Sequence, residues 1–149
     1  MKQYIGSKMI HARPMNRGDY NGYRGWTIPA GENPEDDGYL VRYPDGYESW
    51  SPKAVFEAAY RLTDGMSFGL AIEAAKQGKK IARAGWNGKS QYVELAYCIS
   101  YKNHAAEVVN ANHCNIGNKA LAFVGTSGVQ MGWLASQADM LADDWYIVE

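Results

Sequence analysis

The segment Gly38-Tyr39-Leu40-Val41-Arg42-Tyr43, followed at once by Pro44-Asp45-Gly46 and then by Tyr47-Glu48-Ser49-Trp50, constrains the fold of this chain more than any other stretch. Strand side chains point alternately to opposite faces, and Asp-Gly behind a proline reverses the backbone, so the segment predicts an antiparallel β-hairpin. Such a ribbon needs a cover for its apolar face. Ser51-Pro52 predicts the start of a helix: the serine caps free N–H groups, and the proline takes the first helical position, where its missing donor costs nothing. Val55/Ala59 and Phe56/Tyr60, paired at i,i+4, form its expected buried stripe. Upstream, Gln3 to Ile5 predicts a strand, and a loop-rich stretch runs through Arg24-Gly25-Trp26.

Thr63-Asp64-Gly65 is short, polar and glycine-terminated, and marks a joint. Beyond it, Ser67 is placed to cap a helix that carries Phe68, Ala71, Ile72 and Ala75 on one face, with Gly78 ending it. Lys79 to Arg83 predicts a strand, Gly85-Trp86-Asn87-Gly88 a turn, and Gln91 to Ser100 a longer strand. Residues 101–118 carry five asparagines without clear periodicity and are expected to be loop. Lys119 to Val124 and Val129 to Leu134 frame a four-residue hairpin loop, Gly125-Thr126-Ser127-Gly128. Ala135 to Ala142 is compatible with a short helix, and Trp145 to Val148 closes the chain as a strand. The expected class is α+β: small antiparallel sheets with two or three short helices, in two docked modules, 1–62 and 66–149.

Composition narrows the function. Apolar residues make up 46% and charged residues 21%, and no apolar run approaches the ~18 residues of a membrane span. The start lacks a secretory pattern and two cysteines are too few for a disulfide framework, so a cytoplasmic setting is expected. The net charge of −1 is evenly spread, with 8 basic and 9 acidic groups in residues 1–64 and 7 of each thereafter. Long nucleic acid is disfavoured, because that mode of binding draws on a surplus of Lys and Arg. Five Trp and eleven Tyr, by contrast, are unusually many flat amphipathic side chains, most of which packing must absorb.

Catalytic signatures are missing: Gly125-Thr126-Ser127-Gly128 has the spacing of neither a nucleophile elbow nor a P-loop. His104, His113, Cys98 and Cys114 fall in no paired zinc spacing, so no metal is expected. Asp143-Asp144 reads as a solvated turn. If the preceding segment is helical, Ser136, Asp139 and Asp143 lie along one side and could grip sugar hydroxyls; equally, Ser136 and Asp139 could be a cap and its acid at the third helical position. The two Gly-Trp turns carry the binding case, since glycine leaves space for another molecule beside the indole. Trp86 and Trp133 are candidate platforms for a base, Asn87 for its edge, and Arg83 and Lys89 for a phosphate or as ordinary strand-end charges.

Met66-Ser67-Phe68-Gly69-Leu70-Ala71, Arg83-Ala84-Gly85-Trp86-Asn87-Gly88-Lys89 and the block from Gly132-Trp133 through Asp143-Asp144-Trp145 together resemble the second family of Thoeris anti-defence proteins, over Met66 to Glu149. The resemblance implies a non-catalytic phage or prophage protein that sequesters cyclised ADP-ribose signals, and in some relatives cyclic dinucleotides such as cyclic GMP-AMP, in the cytoplasm of the infected bacterium. It also implies a homo-oligomer, a tetramer, with pockets at subunit interfaces and no cofactor. On that basis Trp86 and Trp133 would wall the ligand, Asn87 and Ser136 would hydrogen-bond it, and Asp139 would reach ribose hydroxyls or an adenine amine. The alternatives are an enzyme that cleaves such a signal and a phage structural or regulatory module without a ligand. Residues 1–62 lie outside the resemblance and look like a module found at the front of other phage proteins. They could extend the pocket, stabilise the oligomer, or bind a second ligand through Trp26, Tyr39 or Trp50.

Overall fold

The computed structural model describes residues 1–110 and 119–149. The chain divides into two compact units, Met1–Arg61 and Leu62–Glu149.

In the first unit, strands β1 (His11–Pro14), β2 (Gly38–Arg42) and β3 (Glu48–Pro52) form one antiparallel sheet in that order. The hairpin expected around Pro44-Asp45-Gly46 is β2–β3, with Leu40 opposite Trp50 and Val41 opposite Ser49. Gln3 to Ile5 forms no strand and is exposed; the third strand is His11–Pro14, whose registry with β2 the sequence reading missed. The stretch expected to be loop contains α1 (Arg17–Arg24), capped by the Asn16 side chain and ended by Gly25 at φ 71°. Its two glycines hide it from propensity, but Asn16 with Asp19 three residues on is a start signal, and glycine is the usual stop.

Helix α2 (Lys53–Ala59) begins one residue later than expected. Ser51 and Pro52 stay in the ladder opposite Tyr39 and Gly38, so the backbone pairing of the sheet takes the serine that would have capped the helix. The predicted stripe also fails in part: Val55 is 60% exposed and α2 buries no residue fully. Phe56, the one half-buried residue of the helix, is stacked between Tyr39 at 4.1 Å and Tyr60 at 5.0 Å.

The second unit is built on a five-stranded antiparallel sheet in the order β10 (Trp145–Val148), β4 (Lys80–Arg83), β5 (Tyr92–Tyr97), β8 (Lys119–Gly125) and β9 (Gly128–Met131). Gly125 pairs with Gly128, so the expected four-residue loop is a tight turn at Thr126-Ser127. Helix α3 (Phe68–Lys76) is capped by Ser67 as expected and buries Ala71, Ala74 and Ala75. These alanines meet Met66, Ile81, Val93 and Trp145, the last wholly buried, to form the core. Small residues on the helix let it lie close to the sheet, and the large indole fills the space they leave. Residues expected to be loop form a small ribbon, β6 (Tyr101–Lys102) with β7 (Val108–Val109), closed by Asn103 and Glu107. The remainder of that loop, 111–118, lies outside the described residues. Helix α4 (Gln137–Met140) is a single turn inside the predicted 135–142 segment. Among the described residues no helix is long and apolar enough to cross a membrane.

Candidate functional site

Trp145 at the start of β10 anchors an aromatic cluster beside the core. Trp86, in the β4–β5 loop, meets it edge-on at 5.3 Å and also contacts Phe123 of β8 at 5.5 Å and Trp133 at 6.0 Å. Phe123 and Trp133 are nearly parallel, 6.4 Å apart. Edge-to-face contacts of this kind hold each ring at a fixed angle. Trp133 follows Gly132, whose φ of 80° turns the chain out of β9, and its N–H returns to the Leu121 carbonyl at 2.9 Å.

Polar groups tie the cluster down. Asp139 Oδ1 accepts from Trp86 Nε1 at 3.0 Å and from Arg83 Nη1 at 2.8 Å, while Oδ2 accepts from the Ser136 N–H at 3.1 Å. Ser136 Oγ accepts from the Asp139 N–H, completing a capping box, and Trp145 Nε1 donates to the Asp139 carbonyl at 2.9 Å. Burial pushes the Asp139 carboxyl up, but the hydrogen bonds from Trp86, Arg83 and Ser136 outweigh it and lower its pKa to about 2. Arg83 also donates through Nε to Asp144 Oδ1 at 2.8 Å, and that hydrogen bond, first among the influences on Asp144, holds its carboxyl below the ordinary range.

Asp144 is therefore part of the framework rather than of a solvated turn, a role the sequence reading missed. The glycine of the first Gly-Trp turn serves it. The Gly85 N–H donates to Asp144 Oδ2 at 2.7 Å, and a Cβ on Gly85 would stand 2.9 Å from that oxygen. The space left by Gly85 is thus taken by a carboxylate of the same chain.

A cavity of about 270 Å³ opens in front of the cluster, lined by Trp86, Asn87, Gly88, Gln91, Phe123, Trp133 and Asp139. Four of the residues singled out from sequence line it: Trp86, Asn87, Trp133 and Asp139. Ser136 and Arg83 reach it only through Asp139. Lys89 and Asp143 are exposed and outside the lining. The helical row of Ser136, Asp139 and Asp143 does not form, because α4 ends at Met140. Gln91 and Phe123 are additions. Phe123 was legible as one face of an alternating strand, whereas nothing in the sequence marks Gln91, which folds over Gly88 where a Cβ would meet its amide.

Of the four zinc-type side chains, Cys98 is disulfide-bonded and His113 and Cys114 lie outside the described residues. Among the described residues no three His, Cys, Asp or Glu gather as metal ligands.

A family model described as Thoeris anti-defense 2-like domain matches residues 66–148. Thoeris anti-defense 2 of Bacillus phage SP01 is 38% identical over 88 residues, which are 56% of this chain and 94% of that protein. Every residue lining the cavity falls inside the matched stretch.

Proposed function

Because the chain belongs to the Thoeris anti-defense 2-like family, we propose that it is a phage-encoded, non-catalytic sponge that captures cyclic nucleotide signals, cyclised ADP-ribose isomers first and cyclic dinucleotides second, and so blocks bacterial immunity. The carrying observation is the cavity in the matched unit, where the rings of Trp86, Trp133 and Phe123 stand beside the amides of Asn87 and Gln91. Rings of this kind stack on a base, each contact contributing about 1–3 kcal/mol, and side-chain amides read base edges and ribose hydroxyls.

Capture without turnover is supported by the state of Asp139, the one carboxylate among the described residues of the lining. With a pKa of about 2, Asp139 has neither a proton to give near neutral pH nor the basicity to take one. Its oxygens are used to hold the Trp86 indole and the Arg83 guanidinium, so its part is to fix the platform.

The cavity's size also supports self-association. At about 270 Å³ it lies just below the ~300 Å³ at which ligand pockets normally begin, too little to enclose a whole cyclic nucleotide. A second copy of the chain closing over the open side would complete the enclosure, in a homo-oligomer of the tetrameric kind. Titration calorimetry with cyclised ADP-ribose and with cyclic GMP-AMP tests the reading. Saturable heat with the first, reduced in Asn87→Ala and Gln91→Ala, is expected; no heat with either compound contradicts it.

A further inference from the structure

The first unit holds its own cavity, about 430 Å³ and larger than that of the second. Its walls include Arg17, Tyr20 and Asn21 of α1, then Trp26, Glu32 and Trp50. Two of the aromatic walls are set before any ligand arrives. Trp50 Nε1 donates to the Met15 carbonyl at 2.8 Å, and its ring lies where a Cβ on Gly38 would stand, 2.4 Å from Cε2. Trp26 is 55% exposed, yet it is braced edge-on by Tyr20 at 5.9 Å and by the Arg24 guanidinium 5.0 Å from its ring centre. Arg24 is not among the lining residues, so it backs the indole instead of filling the cavity.

The polar wall offers acceptors. Asn21 is 4% exposed; its Nδ2 donates to Glu32 Oε2 at 3.3 Å, while among the described residues nothing donates to its Oδ1. Among the described residues no fully buried side-chain N or O lacks a partner, so this donor-free oxygen is accessible, on a residue that lines the cavity. Glu32 is paired with Arg17, whose hydrogen bond leads in holding its carboxyl below the ordinary range. An ionised carboxylate only accepts, and Arg17 and Asn21 leave further lone pairs on its two oxygens. A cationic ligand is disfavoured, because guanidinium groups already lie over both indoles, Arg17 standing 4.8 Å from the Trp50 ring centre. Glu32 disfavours an anion in the same place.

We infer that this cavity binds a flat, neutral aromatic heterocycle presenting adjacent N–H donors, the chemistry of a guanine-type base, which stacks on Trp26 and donates to Asn21 Oδ1 and the Glu32 carboxylate. The inference stands on the first unit alone and is independent of what the second unit captures.

Guanosine titrated into the full chain, followed through the indole N–H signals in a ¹H–¹⁵N spectrum, tests it. Saturable shifts at Trp26 and Trp50 are expected. Inosine, which lacks the exocyclic amine, should bind at least tenfold more weakly. Trp26→Ala should weaken guanosine at least tenfold with the remaining spectrum unchanged, and Trp26→Phe should restore part of the loss. Absence of guanosine binding overturns the inference; equal binding of inosine overturns the donor pattern; undiminished binding by Trp26→Ala overturns the location.

Discussion

Asp139 links the fold of the second unit to its cavity: one carboxylate closes the capping box of α4, receives the Trp86 indole N–H and meets Arg83. Replacing it with asparagine keeps the shape and removes the charge, and should cost about 2–3 kcal/mol because charge-assisted bonds are lost. The acid limb of stability should report it. The carboxyl lies at about 2 in the fold against 3.8 ordinarily, so its contribution is complete above pH ~4 and drains away as pH falls toward 2. Urea midpoints measured between pH 5 and 2 should fall more steeply for the natural chain than for Asp139→Asn; parallel curves would contradict the assignment. Gly85→Ala probes the neighbouring contact, since its Cβ would press Asp144 Oδ2. A loss of about 1–3 kcal/mol in thermal unfolding is expected, with no loss if the carboxylate simply swings aside.

Among the elements, the sequence made α3 and the β2–β3 hairpin legible because their signals are local: Ser67 as cap, apolar spacing along one helix face, and strand alternation interrupted by Asp-Gly. Ser67→Ala should accordingly destabilise the unit by about 1 kcal/mol, read from denaturant midpoints. What stayed hidden depends on partners distant in sequence. Ser51 looks like a cap until its ladder partner Tyr39 is known, and β1 at His11–Pro14 has no pattern apart from its pairing with β2. The site divides in the same way. The two tryptophans and Asn87 announce themselves by type and setting. Asp144 shows its role only once the fold sets it against Arg83, 61 positions away in the chain. Gly38 shows this dependence sharply: Gly38→Ala would drive a methyl into the Trp50 ring and should weaken the first unit by about 1–3 kcal/mol, a change visible as altered Trp50 fluorescence.

At the level of the whole molecule, the chain is two compact units, and only the second carries the family match. A chain beginning at Leu62 should therefore keep its affinity for cyclised ADP-ribose, measured by calorimetry beside the full chain; a large loss in a folded truncation would assign part of that site to the first unit. Capture without chemistry leaves the bound molecule intact. It is tested most directly by mixing the protein with cyclised ADP-ribose, removing free ligand by filtration, denaturing the retained protein and analysing what is released. Recovery of the intact cyclic molecule in proportion to the protein is expected. Release of a cleaved product, accumulating with incubation time, would contradict it.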